Sequence, residues 1–209
     1  MESGSPPVVY EVRYPETLHP GLVIAKLFLG WLYVLIPHGI ILTFYGIAAW
    51  IASLAAFVAI LITGRYPENL FNFNMGYYRW NARVNAYLNF MTDQYPPFTA
   101  EPVADTPVDV RIARQESYSK PHALLKFFLG WLYALIPHAI ALLLYGLAVS
   151  VTALIAFFNI VFKGQYPIEL FRFAMGLERW NLRLSAYLAY MTDVYPPFNN
   201  RPMFNAEGT

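Results

Sequence analysis

The chain repeats itself at a fixed offset of one hundred residues. Residues 21–98 and 121–198 align without a gap, and 42 of the 78 positions are identical. A duplication of this kind predicts two copies of one structural unit that pack on each other. The predicted divisions are a first repeat at 1–98, a linker at 99–107, a second repeat at 108–198 and a C-terminal tail at 199–209.

Each copy contains a long run without a charged residue. Residues 27–62 and 127–162 hold no Asp, Glu, Lys or Arg, so each run is 36 residues long. About 20 apolar residues are enough to cross the hydrocarbon core of a bilayer. One straight helix of this length would measure about 54 Å and would have to tilt beyond the usual range to fit a core of about 30 Å. Each run is therefore predicted to hold two spanning helices.

The predicted break in the first run lies at Pro37. Proline lacks an amide hydrogen and disfavours helical dihedral angles in the residue before it. The first helix is expected to end near Ile36, which gives a helical hairpin over residues 20–63 and an equivalent hairpin over residues 120–163. In a rival topology only residues 38–63 cross, as one strongly tilted helix.

The positive charges favour the hairpins. Two Lys and Arg residues precede the first run, 7 lie between the runs and 5 follow the second. One crossing per copy would set 7 against 2 + 5 = 7, whereas a hairpin per copy leaves all 14 on one side. The positive-inside rule prefers the second arrangement. The sequence thus predicts an all-α membrane protein with two tandem transmembrane helical hairpins, four crossings and both termini cytoplasmic.

An amphipathic helix is predicted after each hairpin, over residues 67–92 and 167–192. Apolar side chains recur there at spacings of three and four, opposite polar residues. Two roles stay open for this apolar stripe. The helix could lie along the cytoplasmic interface against lipid, or it could form a coiled-coil-like seam that pairs the copies or holds another protein.

Short β-strands are compatible with the segments before each hairpin. Apolar residues alternate there with polar neighbours, a pattern typical of strands. Two such strands could pair across the copies. The alternating residues are Val8, Tyr10, Val12, Val108, Val110 and Ile112.

Pairs of arginines stand one turn apart on the amphipathic helices. They could form a solvated face or ion pairs with Asp93 and Asp193. They could also recognise a lipid phosphate or an acidic patch of a partner, because guanidinium groups bind such groups bidentately. The candidate lipid or partner contacts are Arg79, Arg83, Arg179, Arg183, Trp80 and Trp180.

Two histidines, His38 and His138, occupy equivalent positions directly after a proline. Pseudo-symmetry could bring them together as axial ligands of a haem or ligands of a chlorin. A histidine at a helix start is also a common polar residue at the water boundary, and we favour this interpretation. We predict no cofactor and no metal site. The absence of cysteine excludes disulfides and thiolate chemistry.

Several motifs of the two repeats, taken together, resemble one known family. They are Gly64-Arg65-Tyr66-Pro67, Arg79-Trp80 with Arg83 and Tyr87, Thr92-Asp93, and Tyr95-Pro96-Pro97-Phe98. These motifs are similar to those of the bacterial membrane proteins grouped as domain-of-unknown-function family 4389. Most of both repeats is covered, although Gln165 stands where an arginine is expected. The resemblance implies a repeated helical unit in the bacterial cytoplasmic (inner) membrane and supplies no reaction.

The composition narrows the classes of function. A net charge of +1 gives no reason to expect nucleic acid, and uncharged runs argue against a pump or channel. The sequence contains no paired acid and base and no nucleophile motif, so we do not expect an enzyme. The leading expectation is a non-catalytic accessory or scaffold subunit that packs against a larger membrane protein complex. The alternative is a binder or carrier of lipid, or of another hydrophobic small molecule, between the two repeats.

Overall fold

The computed structural model describes residues 7–201, and in this range the chain folds as two copies of one helical unit. Most of the predicted tail at 199–209 lies outside the described residues. The elements are β1 (Val8–Val12), α1 (Pro20–Gly30), α2 (Ile36–Thr63), α3 (Glu68–Leu88), β2 (Val108–Ile112), α4 (Lys120–Gly130), α5 (Ile136–Lys163) and α6 (Ile168–Leu188). Two π-helical turns, Trp31–Leu35 and Trp131–Leu135, join α1 to α2 and α4 to α5.

Each predicted hairpin is instead one continuous helix. The first long helix consists of α1, the π-helical turn and α2, and covers Pro20–Thr63. The second long helix covers Lys120–Lys163, and each is 44 residues long. The predicted turn at Pro37 is therefore wrong. Within residues 7–201, two helices rather than four are long and apolar enough to cross a membrane.

The helix continues through Pro37 because a distant side chain replaces the hydrogen bond that proline removes. Proline cannot donate to the carbonyl four residues earlier, which belongs to Tyr33. The Tyr95 hydroxyl donates to this oxygen at 3.0 Å, and the equivalent bond in the second copy measures 3.1 Å. The π-helical turn just before the proline also opens the backbone locally, as is common at helix kinks. The tyrosine of the Tyr-Pro-Pro-Phe motif thus completes the bonding of the long helix.

Replacing Tyr95 with phenylalanine should lower the free energy of unfolding by about 1 to 2 kcal/mol, because the Tyr33 carbonyl and the Nε2 atom of His38 both lose a hydrogen-bond partner. Amide hydrogen exchange should also accelerate around the π-helical turn. Thermal unfolding in detergent would measure the first effect, and Tyr195→Phe should give the same loss. Tyr77→Phe is the control, since the Tyr77 hydroxyl makes no hydrogen bond within residues 7–201. Equal stability of the Tyr95 and Tyr77 variants would contradict this role.

The amphipathic helices end earlier than predicted. The first was expected over residues 67–92, but it stops at Leu88. Phe90 then adopts a left-handed conformation with φ of 61°, and the amide of Met91 donates to the carbonyl of Ala86 at 2.9 Å. This arrangement is a Schellman-type helix end. The equivalent turn of the second copy has the same bonds.

The two strands join the copies on a pseudo-two-fold axis. β1 and β2 pair antiparallel, and Tyr10 lies opposite Val110, its equivalent in the second repeat. Alternate residues of both strands are buried on one face of the sheet, so the axis runs perpendicular to the sheet. β1 packs on α6 and β2 packs on α3, which means that each strand covers the helix of the other copy. The predicted strands and their pairing across the copies are confirmed.

The elements form three layers. The sheet packs on α3 and α6, and these helices pack on α2 and α5 respectively. The amphipathic helices thus form the middle layer, with their apolar stripe directed at the protein's own interior. The largest hydrophobic cluster contains residues of both copies and of all three layers, and each copy has a smaller cluster of its own.

The two long helices of the third layer run antiparallel. The ring of Phe57 stacks on that of Phe127 with centroids 4.6 Å apart, while Leu27 and Phe157 line one groove. The start of each long helix therefore lies beside the end of the other. Gly64 and Gly164 end the long helices in the left-handed conformation, with φ of 73° and 68°, which is a common way for a helix to end.

Candidate functional site

One buried cluster of aromatic and polar side chains occurs in the same form in both copies. In the first copy, His38 from the start of α2 meets Trp80 from α3 and Tyr95 and Phe98 from the segment after α3. His38 is fully buried. We call this set, with Tyr33, the histidine cluster.

The hydrogen bonds of the histidine cluster fix the state of the imidazole. Trp80 Nε1 donates to His38 Nδ1 at 3.0 Å, and an indole nitrogen can only donate. His38 Nδ1 is therefore an acceptor, and the proton lies on Nε2, which is 3.2 Å from the Tyr95 oxygen. The Tyr95 hydroxyl in turn donates to the Tyr33 carbonyl. His38 is thus a neutral histidine with both nitrogens bonded, and Phe98 stacks on its ring at 3.8 Å.

The second copy repeats this geometry within its own residues. His138 accepts from Trp180 at 2.9 Å and lies 3.2 Å from the Tyr195 hydroxyl. The structure does not bring His38 and His138 together, because each is enclosed by the aromatic residues of its own copy. A haem or chlorin would have to break the hydrogen bonds at one ring nitrogen to gain a ligand. The arrangement supports a structural role rather than the ligand role considered from the sequence.

Each copy also buries a lysine beside an aspartate. Lys26 Nζ lies 3.1 Å from Asp93 Oδ1 and donates to the Thr92 carbonyl at 2.6 Å, with its charge 4.1 Å from the centre of the Tyr87 ring. Asp93 Oδ2 accepts from the amide of His19 at 2.7 Å. The aspartate thus fastens the end of α3 to the start of the first long helix.

The second copy forms the same pair, with Lys126 Nζ 3.0 Å from Asp193 Oδ1. Neither lysine was among the site residues expected from the sequence, and the ion pairs considered there between the helix arginines and the two aspartates do not form. The turn after each amphipathic helix carries the aspartate past that helix and its arginines. A usable signal was present, since lysine and aspartate are identical in both repeats.

A histidine lies beside the lysine–aspartate pair only in the second copy. His122 Nε2 lies 2.7 Å from the Tyr187 hydroxyl, and its Nδ1 lies 3.8 Å from Asp193 Oδ1. The equivalent residue of the first copy is Leu22. This histidine has no counterpart at the repeat offset, so the duplication does not mark it as a site residue.

Three of the four arginines that were predicted to contact lipid or a partner bind other groups of this protein instead. Their guanidinium groups bind backbone carbonyls or an acid, which leaves them few donors for lipid or a partner. Trp80 and Trp180 are buried as well, at 6% and 8% exposure, and this contradicts their predicted role as contacts. The arginine partners are Thr99 and Glu101 carbonyls for Arg83, Asn199 and Arg201 carbonyls for Arg183, and the Tyr10 carbonyl and Glu11 carboxylate for Arg179.

Arg79 is the exception, because the second strand breaks the pseudo-symmetry. Glu11 faces Arg179 at 2.6 Å, but the residue equivalent to Glu11 is Arg111. The Arg79 side chain makes no hydrogen bond or ion pair within residues 7–201. It lines an open groove of about 1060 Å³, whose walls are apolar on α2 and polar on α3. The other lining residues include Ile41, Phe44, Asn69, Asn72 and Glu101.

The two equivalent arginines should therefore respond differently to substitution. Arg179→Gln should lower the free energy of unfolding by about 1 to 2 kcal/mol, because it loses charge-assisted bonds. Arg79→Gln should change it by less than about 0.5 kcal/mol but should reduce the anionic lipid that copurifies with the protein. Thermal unfolding and lipid mass spectrometry on both variants measure the two effects. Equal behaviour of the two variants would contradict the assignment.

Glu178 on α6 gives the protein an expected pH dependence. Burial raises the pKa of its carboxyl to about 7, against a smaller opposite effect of a hydrogen bond from Asn85. A raised pKa means that the folded state favours the protonated acid, so the contribution of Glu178 to stability is largest below about pH 4.5 and is lost as the pH rises to about 7. The fall in melting temperature with rising pH across this range should be smaller in Glu178→Gln than in the parent protein. It should be unchanged in Glu169→Gln, an exposed control. An unchanged slope in Glu178→Gln would refute the prediction.

An apolar groove of about 580 Å³ lies between the two copies. The first copy contributes Leu27, Asn89 and Phe90. The second contributes residues along one side of α5 and one residue of α6. These are Leu142, Leu143, Gly146, Leu147, Val149, Ser150, Ala153, Leu154, Phe157 and Leu177.

The comparisons with known proteins agree with the duplication. The model of the family described as Domain of unknown function (DUF4389) matches residues 25–100 and again residues 125–199. No curated protein and no solved structure matches the chain. The first match covers the last part of α1, all of α2 and α3, and the histidine cluster, and the second match covers the equivalent part of the second copy. The chain therefore belongs to the DUF4389 family and carries two copies of its domain in tandem.

Proposed function

We propose that this protein is a non-catalytic accessory or scaffold subunit embedded in the bacterial cytoplasmic membrane. The observation that carries the proposal is the exposed apolar surface of the two long helices. Large apolar side chains are exposed from Ile24 to Ile62 and from Leu124 to Phe162. Contiguous apolar surfaces larger than a few hundred Å² are typical of contacts with membranes or other proteins.

The polar side chains of the interior support a non-catalytic role. Neutral histidines, buried lysines and most arginines bind other parts of the fold at ordinary hydrogen-bond distances. Residues 7–201 contain no group of three or more acidic or histidine side chains placed to hold a metal ion. These groups connect α3 and α6 to the long helices, so their chemistry is used for structure.

Purification from native membranes in a mild detergent tests this proposal. A subunit should migrate above its own mass of 23.9 kDa, together with the same partner protein in constant ratio. Charge reversal on the outer face of the sheet, by Asp109→Lys with Arg111→Glu, tests whether that face holds the partner. A protein that runs alone at its own mass, with no partner after cross-linking, would refute the scaffold role.

The groove between the copies favours a second candidate function, the binding of a hydrophobic small molecule. It is lined almost entirely by apolar side chains of both copies, as is common for such ligand sites. Native mass spectrometry should then detect one retained molecule. Ala153→Trp, inside the groove, should remove it, whereas Ile155→Trp, exposed on the same helix and outside the groove, should not. Bulk lipid alone, unchanged in both variants, would exclude this candidate.

A further inference from the structure

The orientation of the long helices follows from what packs beside them. Resting on the membrane location proposed above, we infer that both long helices lie in the plane of the membrane and insert their exposed face into one leaflet. They do not cross the bilayer. The partner of this surface is the acyl-chain region of a single leaflet, and the sheet faces water.

The polar helix α3 accompanies the first long helix along its length. Asn74 donates to Ser53 at 3.0 Å, Trp80 donates to His38, and Asp93, just after α3, binds Lys26. These contacts are spread from one end of the uncharged run almost to the other. A helix that crosses the membrane along this run would take α3 with it into the hydrocarbon.

A crossing helix would also carry charged side chains deep into the bilayer. Arg79 and Glu101 line the same groove as Ile41 and Phe44, which lie near the middle of the uncharged run at 27–62. A crossing would bring both charged side chains close to the bilayer centre, at about 3 kcal/mol or more for each charge. An orientation in the membrane plane leaves the groove at the level of the headgroups.

The pseudo-symmetry of the two copies also favours an orientation in the membrane plane. The pseudo-two-fold axis passes through the sheet at Tyr10 and Val110 and relates two antiparallel long helices. If these helices stood along the membrane normal, the sheet would lie beside the bundle at half the depth of the bilayer. Its outer face carries Asp109 and Arg111, whose side chains are 48% and 70% exposed. When the axis itself is the membrane normal, both copies lie at equal depth and the sheet is in water.

The dimensions and charges fit a single leaflet. A helix with its side chains is about 10 Å across, and one leaflet contributes about 15 Å of the hydrocarbon core. Helices lying in the interface bury their apolar face by about 5 to 10 Å. This orientation also keeps the Lys and Arg residues off the inserted surface, which is the one-sided charge distribution that the hairpin prediction was meant to explain.

Site-directed spin labelling gives a direct test, because the chain contains no cysteine. Single cysteines replace the exposed residues Phe28, Ile47 and Ile62 of the first long helix and Asp109 of the sheet. Each labelled full-length protein is reconstituted with vesicles of phosphatidylcholine and phosphatidylglycerol. Collision rates with oxygen and with a water-soluble nickel complex then give the immersion depth. Flotation of the vesicles first establishes that the protein is membrane-bound.

We expect the three helix labels at one shallow depth, equal to within about 5 Å, and the Asp109 label in water. A crossing helix would instead separate residues 28 and 62 by about 50 Å along its axis. The equivalent labels at Phe128, Leu147 and Phe162 provide the matched control and should report the same depths. Depths that differ along the helix, or a label at 109 shielded from water, would overturn the inference.

The remaining outcomes are also distinguishable. Failure to float with vesicles would refute the membrane location, and with it both the proposed function and this inference. Flotation with helix labels shielded from oxygen and broadened by neighbouring spins would mean that a second copy of the chain covers the apolar face. That result would overturn the single-leaflet contact but leave the scaffold proposal standing.

Discussion

Replacing Asp93 with alanine is expected to lower the free energy of unfolding by about 3 kcal/mol. The substitution leaves the Lys26 ammonium buried with only the Thr92 carbonyl and the Tyr87 ring as partners, and removal of one member of a buried pair is strongly destabilising. It also removes the acceptor for the amide at the start of the first long helix. Thermal or denaturant unfolding in detergent, followed by circular dichroism, would measure the loss.

The second copy provides the matched variant for this prediction. Asp193→Ala breaks the same pair with Lys126 and should cost a similar amount. Lys163→Gln changes an exposed charge and should stay within about 0.5 kcal/mol of the parent. The double variant Lys26→Met with Asp93→Ala should recover part of the loss, because no buried charge is left unpaired. If Asp93→Ala proves as stable as Lys163→Gln, the pair has no structural role.

Replacing His38 with alanine should have the other large effect, about 3 to 4 kcal/mol. The Trp80 indole loses its only acceptor within residues 7–201, and the fully buried ring leaves a cavity beside Phe98. An unsatisfied buried donor and a core cavity each destabilise a fold by amounts of this order. Unfolding measurements on His38→Ala and on the equivalent His138→Ala should agree, whereas His19→Ala, at an exposed position, should be nearly neutral.

A double-mutant cycle isolates the hydrogen bond from the packing. His38→Ala combined with Trp80→Phe should be less destabilising than the sum of the single variants by about 1 kcal/mol. His38→Ala combined with Trp180→Phe should be additive, because Trp180 binds the histidine of the other copy. Non-additivity of His38→Ala with Trp180→Phe, or additivity of His38→Ala with Trp80→Phe, would contradict the conclusion that each copy has its own histidine cluster.

The ends of the two long helices at Thr63 and Lys163 and the two strands could be predicted from local pattern, whereas the path through Pro37 could not. Glycine at 64 and 164 and the alternation around Tyr10 act through neighbouring residues, so the sequence was sufficient. The carbonyl that Pro37 leaves free is satisfied by Tyr95, which lies 62 residues from Tyr33 along the chain. Proline normally predicts a helix end because it removes a backbone hydrogen bond. A replacement donor so far away in the chain cannot be anticipated from local sequence.

The candidate site residues could also be predicted only in part from the sequence. The arginines, tryptophans and histidines were recognisable because they recur at the repeat offset, but their roles depended on partners from other elements. Arg179 is held by Glu11 of the first strand, 168 residues away. Its equivalent Arg79 faces a groove because Arg111 stands in the second strand. The same arginine therefore has different surroundings in the two repeats, because the strand residue that faces it is negatively charged in one case and positively charged in the other.

The sequence by itself determined the duplication, the two uncharged apolar runs, the amphipathic helices and the family, since each is a property of residue identity and spacing. Only the tertiary structure decided that each run is one helix, that each strand crosses to the other copy, and that lysine rather than arginine pairs with Asp93. The physical reason is that these features depend on hydrogen bonds and ion pairs between residues far apart in the chain. Local pattern fixes what a segment can form, but distant partners decide which form is stable.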